Sequence, residues 1–224
     1  MALARLHRAT AVGDRVGVLA PGSRWAPERL RDLLVGAGFR PGRATADPSG
    51  WTASATRALS LPDTVGPKMT LLVSGLNPSV YAAEAGVGFA RPGNRFWPAA
   101  RSAGIVSVDR DPDDALRHHR IGMTDVVKRA TARADALDAT EYREGLARLE
   151  RMVAWLRPGA VCFVGLAGWR AWYPKAAAGV QVEQLGGRPV YVLPSTSGLN
   201  ARVPLAELSE HLAAAYRLGL DSGA

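Results

Sequence analysis

The sequence predicts a three-layer α/β/α sandwich around a short, mainly parallel sheet. Three observations carry that expectation. Apolar runs of strand length recur at Leu71-Leu72-Val73, Ala160 to Val164 and Pro189 to Leu193. Runs of this length that end at tight turns read as strands buried on both faces. Segments of helical period lie between and after them, notably Thr140 to Leu156 and the stretch from Pro204 onward. Strands alternating with helices place helices on both faces of a parallel sheet.

In chain order, residues 1–58 read as an N-terminal extension, either a small β-α element or a partly disordered tail, and residues 59–224 as the main domain. Within the extension, Val16-Gly17-Val18-Leu19 suits a strand. Pro27 to Leu34 has a helical period with Pro27 at a first-turn position, and Gly36 and Gly38 end it. Residues 41–60 are rich in Pro, Gly, Ser, Thr and Ala and read as a linker.

The main domain is organised around Thr70 to Trp97. Leu71-Leu72-Val73 is followed by Gly75, which lets the backbone turn and be approached closely. Asn77 then stands at the carboxyl end of the strand, where open α/β sheets bind ligands. Gly86 and Gly88 lead to Phe89, and Arg91-Pro92-Gly93-Asn94 launches a helix through Ser102 that contains Phe96 and Trp97. An amide, a proline turn and a ring in this order suit a pocket for a flat, polar ligand. On local features alone, a strand-loop-helix connection without chemistry is an equal alternative.

Asp111 to His118 reads as a short helix with acidic residues in its first turn. His118 and His119 are adjacent, not at ligand spacing, and read as surface histidines. Along Thr140 to Leu156, Tyr142, Leu146, Leu149, Val153 and Leu156 recur at three- and four-residue steps, and Pro158-Gly159 ends the helix. Gly165 to Trp169 turns into a helix whose Trp169, Trp172 and Tyr173 read as core rings. Val180 to Glu183 suits an edge strand, and Pro189 suits the first position of the last core strand. Leu205, Leu208, Leu212 and Ala215 share one face of the closing helix.

Composition bounds the chemistry. The formal charge of +8 and a pI near 10.3 favour an anionic partner. No apolar run nears the ~18 residues of a membrane span, and no secretory signal is evident. The single cysteine, Cys162, allows no internal disulfide and no cysteine-ligated cluster, and it reads as an inert core residue. No phosphate loop, His-Glu-x-x-His pair or metal-ligand cluster is present. The expectation is therefore no metal and no cofactor.

Gly75-Leu76-Asn77-Pro78-Ser79, then Phe89, then Pro92-Gly93-Asn94-Arg95-Phe96-Trp97 resembles the first motif of the mismatch-specific uracil/thymine-DNA glycosylases, a branch of the uracil-DNA glycosylase superfamily. Leu193-Pro194-Ser195-Thr196-Ser197-Gly198-Leu199-Asn200 resembles the wedge loop that follows the last core strand in that family. The resemblance spans roughly residues 59 to 218 and implies the uracil-DNA glycosylase-like fold.

It also implies a monofunctional glycosylase that flips uracil out of mismatched duplex DNA and hydrolyses the N-glycosidic bond. Phe89 would stack on the base, with Leu76, Ala82 and Ser195 around it. Asn77 would hold the attacking water, and Ala82 would leave room for a C5 substituent. Gly198, Leu199, Asn200 and Arg202 would enter or border the duplex, and Lys128 and Arg129 would contact phosphates. Relatives often carry lysine where this chain has Asp125. An amide cannot accept a proton at neutral pH, so Asp125 is the candidate base or electrostatic stabiliser. The alternative is that Asp125 caps a turn or pairs with Lys128 or Arg129. The resemblance further implies double-stranded DNA as partner, a monomer, no membrane, and a cytoplasmic, nucleoid-associated protein. Beside the enzyme stands the alternative of a nucleic-acid-binding module with the same fold and little catalysis. The arginines of the extension read as a solvated basic surface, with DNA anchoring as the other possibility.

Overall fold

The computed structural model describes residues 2–22, 26–199 and 202–223. The described residues up to 57 form their own small layered unit. Helix α1 (Ala2–Ala9) precedes strand β1 (Arg15–Pro21), helix α2 (Pro27–Gly36) and the hairpin of β2 (Phe39–Asp47) and β3 (Gly50–Arg57). The three strands form an antiparallel sheet in the order β1-β3-β2. Leu30 and Leu34 of α2 bury against Phe39, Ala53 and Ala55. The expected linker over 41–60 is thus corrected: most of it is strand. Small residues on β3 bury their backbone closely under α2, and a composition that resembles a linker is here what tight sheet packing requires. The expected strand at 16–19 and helix at 27–34 both lie within observed elements.

The larger unit begins with β4 (Leu71–Gly75), α3 (Val80–Ala85), α4 (Phe96–Ser102), α5 (Pro112–His119) and β5 (Ile121–Asp125). It continues with α6 (Ala139–Leu156), β6 (Ala160–Val164), α7 (Leu166–Arg170), β7 (Gly179–Leu185), β8 (Arg188–Leu193) and α8 (Leu205–Ser222). The sheet order is β5-β4-β6-β8-β7. The first four of these strands run parallel, and β7 closes the edge antiparallel to β8. This is the predicted sandwich, with β5 as a strand the sequence reading did not foresee.

Alternation along β4 divides the two faces. Leu71 and Val73 point to one core with Phe96, Trp97, Leu208 and Leu212. Leu72 points to the other with Leu146, Leu149, Val153, Phe163 and Trp169. Helix α6 starts at a capping box in which Asp138 accepts from the Thr140 and Glu141 amides while Glu141 reaches back to the Asp138 amide. Trp169 is fully buried, with Tyr173 packed against it at 4.6 Å, so these rings are core. Cys162 is buried, and burial pushes its thiol well above the ordinary range. No helix among the described residues is long and apolar enough to cross a membrane.

If β3 is the central strand of a packed sheet, its amides at Ala53 and Ala55 exchange with solvent deuterium far more slowly than those of a linker, and Leu34→Ala costs about 2–5 kcal/mol of stability in its own unit. Exchange at β3 as fast as in an unstructured chain would refute the sheet.

Candidate active site

The sheet brings the predicted residues to one place. The carboxyl ends of β4 and β5 lie side by side, with Gly75 directly paired to Asp125. The chain then stays together: the Val126 amide donates to Gly75 O and the Val127 amide to Leu76 O, each at 2.9 Å. A methyl group on Gly75 would collide with the Asp125 carboxylate and lie 3.4 Å from the Phe89 ring. A residue without a side chain is therefore required between the carboxylate and the ring.

Asn77 is pinned by its amide nitrogen. Nδ2 donates to Thr131 Oγ1 at 2.8 Å, to Arg129 O at 3.1 Å and to Pro78 O at 3.2 Å. With the nitrogen committed, Oδ1 is the side of the amide left to accept a hydrogen bond from water. Ser79 caps α3 by accepting from the Ala82 amide at 3.1 Å, and Gly86 ends that helix in the left-handed region. Phe89 itself has φ of 58°, a conformation that costs a non-glycine residue of order 1 kcal/mol. Two contacts hold it there. Its ring stacks on Phe96 with centroids 4.3 Å apart, and Trp97 Nε1 donates to Gly88 O at 2.8 Å.

The late loop meets the first motif across the cavity mouth. The Arg95 amide donates to Thr196 O at 2.9 Å. Gly198 lies so close to Gly93 that an added Cβ would sit 2.8 Å from the Gly93 carbonyl. One cavity of about 650 Å³ is lined by Leu76, Asn77, Ala82, Phe89, Asp125, Ser195 and Leu199 together, a volume suited to a small-molecule-sized ligand. Leu199 is 91% exposed at its rim. Arg202 is exposed further along the chain, and Asn200 lies outside the described residues.

Behind the cavity is a buried charge cluster the sequence did not reveal. Asp63 receives Lys128 Nζ at 2.7 Å, Arg148 Nη1 at 2.9 Å and Thr124 Oγ1 at 2.7 Å. Asp125 is left with Lys128 at 3.9 Å. Burial alone would raise the Asp63 carboxyl, but Lys128 and Arg148 hold it below its ordinary value. Burial raises Asp125 to about 6; Lys128 opposes the shift, Asp63 adds to it and Arg148 opposes it. Because Asp63 takes both cations, Asp125 keeps a carboxylate that can still exchange a proton near neutrality.

Lys128 was expected at DNA phosphates; it is 8% exposed and turned inward to Asp63, so that expectation is corrected. The driving force is the buried charge of Asp63, 65 residues earlier. Arg129 remains at the surface but is held by Glu141 at 2.7 and 2.8 Å. Sequence reasoning missed Asp63, Thr131 and Arg148 as supports of the site. Thr131 lies two residues past Arg129, which the resemblance had brought in, but Asp63 and Arg148 had no local signal. No group of residues among those described could hold a metal ion.

A model of the Uracil DNA glycosylase superfamily matches residues 62–217. Among solved structures, the chain is similar to the solution NMR structure of a candidate uracil DNA glycosylase from Methanosarcina acetivorans. Identity is 24%, the match covers 71% of this chain and 96% of the other, and the TM-score is 0.46.

Asp63→Ala leaves two buried cations short of their counter-charge and is expected to cost about 3–5 kcal/mol in urea unfolding at pH 7. Asp63 has a lowered folded pKa, so its contribution is present above the unfolded value of about 3.9 and is lost as pH falls through the folded one. The difference between parent and variant should therefore shrink on acidification. A loss below about 1 kcal/mol at neutral pH, as for an exposed pair, would show that the cluster is not shielded from water.

Proposed function

The chain belongs to the uracil DNA glycosylase superfamily, and we propose that within it this protein is a monofunctional DNA glycosylase that hydrolytically removes uracil from G·U mismatches, leaving an abasic site. The observation that carries the reading is the single cavity shared by Asn77, Phe89, Asp125 and the Leu199 rim. An amide, an aromatic face and a carboxylate around a slot at the mouth of a parallel sheet suit an extruded pyrimidine nucleotide.

In this reading the base stacks on Phe89, and backbone groups near Leu76 and Phe89 meet its polar edge. Leu199 enters the duplex and offsets part of the unstacking cost. Oδ1 of Asn77 accepts from a water placed at the sugar C1′. As the N-glycosidic bond breaks, its electron pair leaves with the base and positive charge develops on the sugar. The ionised Asp125 stabilises that charge and takes the proton as the water oxygen bonds to C1′. Among the described residues no lysine lines the cavity, and Lys128 is committed to Asp63; in this reading the reaction stops at base release without a lyase step.

Asp125 must be ionised to act. With its carboxyl raised to about 6, single-turnover base release from G·U duplexes should rise with pH through about 6 and level off above it. Asp125→Asn should remove that limb and lower the plateau by about a hundredfold or more, with duplex binding unchanged. Asn77→Ala should also abolish most base release. An Asp125→Asn variant with parental rate and pH profile would return Asp125 to a structural role. Failure of the parent on both G·U and G·T would end the glycosylase reading, and duplex binding without base release, unaffected by Asn77→Ala, would favour a binding module.

The mismatch range is set by the wall near Ala82, which is 4% exposed and lines the cavity. A methyl side chain there leaves space near a C5 substituent. Discrimination by one methyl group is worth about 1–3 kcal/mol. Thymine in G·T should therefore be released roughly 10–200-fold more slowly than uracil in G·U. Equal rates, or none at all for thymine, would show that another contact sets the choice.

A further inference from the structure

Residues 1–58 lie outside the family match, yet they hold nine arginines and no lysine against three aspartates and one glutamate. A quarter of the chain thus carries five of its eight net positive charges. Between this unit and the larger one lies a cleft of about 540 Å³. One wall is Val126 to Ala130, the segment whose Arg129 carbonyl accepts from Asn77. The other wall carries Arg31, Arg40 and Arg57.

Arg57 is the unusual group. It is 8% exposed. Its Nε donates to His7 O at 3.0 Å and its Nη1 to Ala58 O, but no carboxylate among the described residues lies within ion-pair distance. Burial pushes its guanidinium below the ordinary value, although an arginine stays charged at any physiological pH. A buried charge without a counter-ion is unfavourable. The neighbouring acids do not relieve it: Asp32 is held by Arg151 at 2.7 Å and Glu141 by Arg129 at 2.7 Å, and Glu144 is exposed. Arg31 and Arg40, both exposed at the rim, likewise have no acidic partner among the described residues.

The geometry points to this cleft as a second DNA contact, in which Arg31, Arg40 and Arg57 receive a backbone phosphodiester of the duplex whose extruded nucleotide occupies the cavity around Asn77. This extends the glycosylase reading and rests on it for the identity of the strand. Guanidinium forks match phosphate oxygens in pairs. The Val126–Ala130 segment lines the cleft, and its Arg129 carbonyl accepts from Asn77, so one stretch of chain borders the cleft and supports the site.

The test uses the full chain and an undamaged duplex, with affinity measured across a salt series. Arg31→Ala combined with Arg40→Ala removes two exposed side chains that support no core. It should weaken duplex binding several-fold and flatten the log K against log salt slope by up to about 1, because the arginines share one phosphodiester. Base release at saturating enzyme should stay at the parental rate. Arg57→Gln should weaken binding further, and Arg57→Lys should restore part of it. Parental affinity and slope in the double variant and in a folded Arg57→Gln would overturn the inference while leaving the glycosylase reading intact if base release persists. Salt-dependent binding that falls in the variants, in a parent that releases no base, would support the cleft and sink the enzyme. Inorganic phosphate binding lost in the variants, with duplex affinity unchanged, would overturn it in favour of a small-anion site.

Discussion

The structure turns on the ion cluster centred on Asp63. Its carboxylate collects Thr124 from β5, Lys128 from the loop that follows and Arg148 from α6. Its backbone amide donates to Gly36 O at 2.7 Å, so the same residue also ties the N-terminal unit to the larger one. Desolvated charges of this kind are unfavourable unless each is matched and hydrogen-bonded. Here the matching is unequal. Asp63 is fully satisfied, whereas Asp125, one position past Thr124, shares Lys128 only at 3.9 Å. That imbalance gives two nearby carboxyls opposite shifts, a recurring way for one site to hold a structural anion and a reactive one.

On the ligand side, precision comes from atoms that leave no freedom. The Asn77 amide is fixed through its nitrogen. Gly75 sets how near the Asp125 carboxylate and the Phe89 ring can come. The Arg95–Thr196 hydrogen bond keeps the late loop against the first motif although they are about a hundred residues apart in sequence. The backbone of Phe89 is held in an unfavourable region, and such positions persist only where surrounding contacts over-determine them; stacking on Phe96 supplies that here.

What the sequence made legible was local. The buried run of β4, the periodicity and end signals of α6, the closing helix and the two motif loops each depend on residues within a few positions of one another. The cavity's lining followed from them, because strands in a parallel sheet bring their carboxyl ends to one edge. The failures were non-local. Strands β2 and β3 have the small and turn-favouring residues of a linker, and only their pairing reveals them as a hairpin. Lys128 next to Arg129 reads as a basic surface, but its neighbour in space is Asp63, and Arg148 is 85 residues from that same carboxylate. Nothing in a linear pattern announces such a meeting.

The C-terminal end of α2 is pressed against this cluster. An added Cβ at Gly36 would collide with the Asp63 carboxylate and stand 3.1 Å from Arg148 Nη1. The family match begins at residue 62, so this contact joins a residue outside the match to residues within it. The N-terminal unit therefore covers the cluster on the side where Gly36 meets it. Residues outside the family match thus border Asp63 and Arg148, two of the charges that act on Asp125.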